Sequence, residues 1–215
     1  FFNFGELKMW ELVKAGGWLM LPLILCSIFM VAISIERFLR LKRNLVLPEH
    51  LMITKATDLN LVTKDLNNPH MVRTSLSTIL KSGLDSASQG EAYARAQMEA
   101  TASKEVMYLE KNVNFLGTIS AVAPLLGLLG TVVGIIESFL MLDVSVGTNP
   151  TMMIPGLSKA LITTAAGMVV AIPALFAFRY FQRLVQEYIA ELEQQSTLFH
   201  AALFYQNHTE ANEQK

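Results

Sequence analysis

Residues 115–142 read FLGTISAVAPLLGLLGTVVGIIESFLML, with no ionisable side chain before Glu137. A helix crosses the hydrocarbon core of a bilayer in roughly 20 apolar residues, so this stretch can span and also project beyond it. Two further stretches qualify. Residues 15–34 (AGGWLMLPLILCSIFMVAIS) carry no ionisable group except Cys26, and residues 152–178 (MMIPGLSKALITTAAGMVVAIPALFAF) carry only Lys159. The whole chain follows this blocky pattern: of 215 residues 52% are hydrophobic and 16% charged, against about a quarter charged in an ordinary soluble domain. The fold class expected is therefore all-α, a multi-pass membrane protein with three transmembrane helices. The first span is too long for the apolar part of a signal peptide and lacks a cleavage site, so it reads as retained. Met9 reads as a natural start, with residues 1–8 a lead-in before it.

Orientation follows from the basic residues, which stay on the cytoplasmic side. Arg37, Arg40, Lys42 and Arg43 follow the first span at once, and Lys and Arg recur as far as Lys111. The stretch 143–151 has neither, and Arg179 and Arg183 close the third span. The expected arrangement is N-out and C-in. It comprises a periplasmic segment over 1–14, a first span over 15–35, a cytoplasmic helical region over 36–112 and a second span over 113–142. A periplasmic loop over 143–152, a third span over 153–180 and a cytoplasmic helix and tail over 181–215 complete it.

Pro48, Asn67-Asn68-Pro69 and Ser88-Gln89-Gly90 cut the middle region into short helices, ahead of a predicted unbroken helical run from Glu91 into the second span. Beyond the third span Phe181, Leu184, Val185, Tyr188, Ile189, Leu192 and Phe199 recur at helical spacing. That amphipathic stripe needs a partner, either the chain's own middle region or a neighbouring copy.

Several chemistries have nothing to rest on. The chain has no Gly-Lys pair and hence no phosphate loop. His50, His70, His200 and His208 fall outside the spans at no ligand spacing and read as surface histidines, and Cys26 reads as a packing residue. No cofactor, metal or enzymatic activity is expected, and a net charge of -1 gives no basic excess for nucleic acid.

Small residues mark helix contacts in lipid. Gly117, Ser120, Pro124, Gly127, Thr131, Gly134 and Ser138 make one such stripe, and Gly156, Ala160, Thr164, Gly167, Ala171 and Ala174 make another. Either stripe is a packing face or the wall of a path. Thr131, Thr163 and Thr164 fall about mid-span, where a hydroxyl bonds its own helix carbonyl or serves a neighbour. Pro124 and Pro173 are expected to kink their helices and free backbone carbonyls. A proton relay needs a titrating group, yet no Asp, Glu or His stands mid-span. If protons pass, another chain supplies the carboxylate.

The run Ala123-Pro124-Leu125-Leu126-Gly127-Leu128-Leu129-Gly130-Thr131-Val132-Val133-Gly134, with Ala160-Leu161-Ile162-Thr163-Thr164-Ala165-Ala166-Gly167 and Ala171-Ile172-Pro173-Ala174, resembles the signature of the ExbB, TolQ and MotA proton-channel family. Met9-Trp10-Glu11-Leu12 through Gly16-Gly17, and Ile35-Glu36-Arg37, are similar to the short, three-span ExbB branch. The resemblance implies an inner-membrane motor subunit, a homopentamer whose second and third spans line a pore. That pore would hold the single span of an ExbD-like protein with a membrane Asp. With a TonB-like protein, the complex would turn proton motive force into outer-membrane import of iron-siderophore and vitamin B12 complexes.

The family's two pore threonines map onto Thr131 and Thr164, with Thr163, Gly127, Gly134 and Gly167 expected beside them. Where well-known members carry a glutamate ahead of the second threonine, this chain has Lys159. With Glu137 it is expected at the pore entrance, its stem reaching to headgroups or to Asp143 and Glu137 and anchoring the helix. The rival readings are a TolQ-like subunit of the Tol-Pal envelope system and, from another class, a passive membrane scaffold.

Overall fold

The computed structural model describes residues 16–53, 58–68, 72–140 and 150–213. The expected N-terminal segment 1–14, Lys55, Pro69, His70, Asp143 and residues 143–149 of the expected loop lie outside the described residues. All regular elements among the described residues are helical. They fall into two units, one of residues 1–36 and 112–180, the other of 37–111 and 181–215. Among the described residues three stretches are long and apolar enough to cross a membrane, Met20–Arg40, Glu91–Leu140 and Ile154–Tyr205.

The first unit holds α1 (Met20–Arg40) as far as Glu36, α6 (Val113–Leu140) and the opening part of α7 (Ile154–Glu213). In lipid every backbone N–H and C=O must be satisfied within its own segment, so a long uncharged run has helix as its only unpaired solution. Before α1 the chain turns through Gly17, whose φ of 73° favours glycine, and the Gly17 carbonyl accepts from Met20 N at 3.1 Å. Met20 and Leu23 from α1, Ile119 and Ala123 from α6, and Val170, Ala171 and Ala174 from α7 form the buried cluster, with Cys26 packed at its edge. The outward faces carry Leu25, Phe29, Leu128, Val132, Val169 and Phe176, all exposed. Large apolar side chains exposed in this density suit lipid or a neighbouring span.

The second unit holds α2 (Arg43–Val46), a 3-10 turn at Glu49–Leu51, α3 (Asp58–Leu66), α4 (Ser75–Ser86), α5 (Glu91–Glu110) and the later part of α7. Thr74 caps α4, accepting from Ser77 N while Ser77 Oγ accepts from Thr74 N, a reciprocal box that fixes where the helix starts. The α7 stripe is buried at Phe181, Val185, Tyr188, Leu192, Gln195, Phe199 and Ala202. This alternation of four- and three-residue steps puts one continuous face inward. Its partner is the chain's own middle region. Tyr188 Oη donates to the Leu41 carbonyl at 2.9 Å, and the Gln195 side chain accepts from Ile53 N at 2.7 Å.

Two expectations need correction. The helical run from Glu91 is not continuous into the second span: it breaks at Lys111–Asn112, where Asn112 has φ 64°. Asparagine tolerates the left-handed region, and here its side-chain amide donates to Glu36 Oε2 at 2.8 Å. His200 is not an exposed surface histidine. It is half-buried with its ring 5.1 Å from that of Phe204, and its Nε2 is buried without a hydrogen-bond partner.

Candidate functional site

The two small-residue stripes meet each other inside the chain. A methyl built on Gly134 would lie 2.7 Å from both Ala160 Cβ and the Gly156 carbonyl oxygen. One on Gly130 would lie 2.6 Å from Thr163 Cβ, and one on Gly167 2.7 Å from the Ala123 carbonyl oxygen. Gly127, Gly130, Gly134 and Ser138 of α6 are buried, as are Gly156, Ala160, Thr163 and Gly167 of α7. Glycine here serves close approach of two backbones, the recurrent way for helices in lipid to gain contact without large side chains. Gly127, Gly134 and Gly167 thus sit within the α6–α7 seam, with their missing side chains facing the neighbouring helix of the same chain.

The threonines divide by where their hydroxyls go. Thr163, 1% exposed, donates within α7, to the Ala160 carbonyl at 2.9 Å with the Lys159 carbonyl at 3.1 Å. Thr131, half-buried, donates to its own Leu128 carbonyl at 2.6 Å. Thr164 alone of the three crosses the seam. Its Oγ1 lies 2.9 Å from the Gly127 carbonyl, with the Ala160 carbonyl of its own helix at 3.2 Å. A hydroxyl that shares its proton between two carbonyls leaves its oxygen able to accept from a third group. Pro124 and Pro173 lie inside α6 and α7 without ending either helix; lacking an N–H, each leaves the carbonyl four residues earlier, Ser120 and Val169, without its helical donor.

At one end of the seam Lys159 Nζ donates to both carboxylate oxygens of Glu137, at 3.0 and 2.7 Å. Their side chains are 25% and 37% exposed. Each charge is expensive in an apolar surrounding and each offsets the other. Apart from this pair, Cys26 is the one ionisable side chain among residues 20–34, 113–140 and 154–178. Among the described residues no three His, Cys, Asp or Glu side chains gather as a metal would require.

Sequence reasoning missed Arg37, counted above only as a topology-setting charge. It is 1% exposed, and its guanidinium donates to the Leu109 carbonyl at 3.3 Å. The signal available was its place in Ile35-Glu36-Arg37, three residues already singled out together. The pairing of the two stripes was missed as well, because spacing marks a contact face without saying which face it meets.

Residues 71–194 match the MotA/TolQ/ExbB proton channel family. A putative biopolymer transport protein ExbB-like 1 of Synechocystis is 34% identical over 201 residues, 90% of this chain and 79% of that protein. The Tol-Pal system protein TolQ of Haemophilus influenzae is 35% identical over 111 residues, 50% of this chain and 49% of its own. The biopolymer transport protein ExbB of Salmonella typhimurium is 40% identical over 85 residues. That match spans 40% of this chain and 35% of the Salmonella protein.

Proposed function

Because the chain belongs to the MotA/TolQ/ExbB proton channel family, whose members are channel subunits rather than enzymes, we propose that it is the motor subunit of a TonB–ExbB–ExbD type complex. In this reading it sits in a bacterial inner membrane, N-out and C-in, as a homopentamer around the span of an ExbD-like protein, and works with a TonB-like protein. The observation that carries the reading is the polar inventory of the spans. At mid-span there are hydroxyls and carbonyls, and the two carboxylate and ammonium charges neutralise each other. Such a wall can receive and pass a proton but cannot hold one, so the titrating group comes from another chain.

Thr131 and Thr164 are the residues assigned to the path. Thr164 is poised between two carbonyls, and Thr131, half-buried, donates within its own helix to the Leu128 carbonyl. Thr163, Gly127, Gly134 and Gly167 hold these two at their depth, and Lys159 with Glu137 stands at the entrance. One charge moving through 100 mV releases on the order of 2.3 kcal/mol, enough to bias an inner helix held by small residues and hydroxyls. The work done is import of iron-siderophore and vitamin B12 complexes through outer-membrane receptors.

Replacing Thr131 and Thr164 together by valine removes both hydroxyls at nearly constant volume. Ferric-siderophore uptake is expected to be lost while the oligomer persists. Full uptake by the double variant would show that these threonines only pack.

A TolQ-like role is the second reading, supported by the 35% identity to the Haemophilus TolQ protein over 111 residues. Deletion separates the two. Loss of siderophore uptake with an intact envelope supports the first, whereas an envelope constriction defect with normal uptake supports the second.

A further inference from the structure

The seam described above is smooth. Glycine, alanine and serine give few knobs to stop one helix sliding along the other, and a slide of one residue is only about 1.5 Å. What sets the register therefore lies in its few larger side chains. Lys159 Nζ reaches both oxygens of Glu137, a contact of defined geometry between the end of α6 and the start of α7. The turn before α1 rests on the same part of α7. A methyl on Gly17 would lie 2.9 Å from Lys159 Nζ, and one on Gly16 3.3 Å from Thr163 Cγ2. From there the hydrogen bonds continue along α7. Thr163 donates to the Lys159 and Ala160 carbonyls, and Thr164 reaches across to Gly127.

Glu137 lies in the last turn of α6, where carbonyl dipoles repel an anion, and the Lys159 ammonium supplies the compensating charge.

We propose that Glu137, Lys159 and Gly17 form a charge-neutral clamp across the three spans that holds the α6–α7 register in which Thr164 meets the Gly127 carbonyl. Lys159 and Glu137 are on this view positioning residues for the proton path and not members of it. The inference rests on the assignment of Thr164 to that path. It makes a distinctive demand: the sign of each charge is immaterial so long as the pair survives.

The test compares Lys159→Met, Glu137→Gln, the two combined, and the exchange Glu137→Lys with Lys159→Glu. Each is assembled with the ExbD-like partner in vesicles, and proton flux is followed with a pH-sensitive dye and normalised to assembled complex. Each single variant is expected to lose about tenfold in flux, the combined variant clearly less than the product of the two, and the exchange to return within about twofold of the parent. Parental flux in the single variants, or an exchange as impaired as they are, overturns the clamp; the second result would mean that the sign of the charge acts on the proton directly.

If the single variants fail to accumulate, the charge exchange decides by itself: it is expected to accumulate and to conduct within about twofold of the parent, and an exchange that also fails to accumulate overturns the clamp. Failure of the channel reading looks different, as an unvaried complex that conducts no protons. In that event detergent melts of the same four variants decide the clamp: coupling between the single changes supports it, and strict additivity overturns it.

Discussion

Gly134→Ala is the most economical probe of the α6–α7 seam, because helix propensity and packing pull it in opposite directions. Alanine is favoured over glycine inside a helix by roughly 0.8–1 kcal/mol, so without contacts the change stabilises. The added methyl, however, would sit 2.7 Å from Ala160 Cβ and from the Gly156 carbonyl oxygen, where ordinary contacts run 3.4–4 Å. Both obstacles belong to backbone or to a Cβ, so neither can rotate away, and the helices must part locally by roughly 1 Å. A radial gap of that size forfeits about a quarter to a half of each neighbouring dispersion contact, and overpacking of this kind costs about 1–3 kcal/mol. The net expectation is a loss of about 1 kcal/mol.

Gly117→Ala is the matched control. Its methyl would meet the far edge of the Phe178 ring at 3.0 to 3.2 Å, a neighbour that can tilt by a few tenths of an ångström. There the propensity gain should prevail. The two variants should therefore differ by about 2 kcal/mol, or about 4–8 °C in the detergent melting temperature for a chain of this size. Circular dichroism melts of the purified chain measure it. A Gly134→Ala protein that melts at or above the Gly117→Ala protein would mean that the two stripes do not pack as a pair.

The break at Asn112 invites a backbone test: Asn112→Ala leaves the left-handed φ and removes the donor to Glu36, and should cost about 1–2 kcal/mol, whereas Asn112→Gly should recover the conformational part of that loss. The exposed apolar faces of α1, α6 and α7 leave much surface for neighbouring copies. Native mass spectrometry in detergent is expected to give one higher-order species, a pentamer under the proposed function; a dominant monomer would remove the pore.

The three spans, the all-helical class and the family were legible in one dimension. Length and polarity decide whether a segment can cross a bilayer, and a long uncharged segment that does not pair into a closed barrel satisfies its backbone there as a helix. The lack of a mid-span carboxylate was equally plain, because it is a statement about composition along a line. The amphipathic stripe from Phe181 onward showed that a partner was needed but not which. Contacts such as Tyr188 to Leu41 and Gln195 to Ile53 join residues far apart in the chain, and periodicity carries no information about the other side of a contact.

The same holds at the candidate site. Spacing marked Gly127, Gly134 and Gly167 as small and aligned, but wall and packing face have the same spacing. Three-dimensional packing distinguishes the threonines, turning Thr131 and Thr163 onto their own helices and Thr164 across to Gly127. Lys159 departs from the family pattern, and the sequence left headgroups, Asp143 and Glu137 as its possible partners; the structure gives it Glu137. A charge is read from one letter, whereas its compensation depends on a second residue whose distance only folding sets.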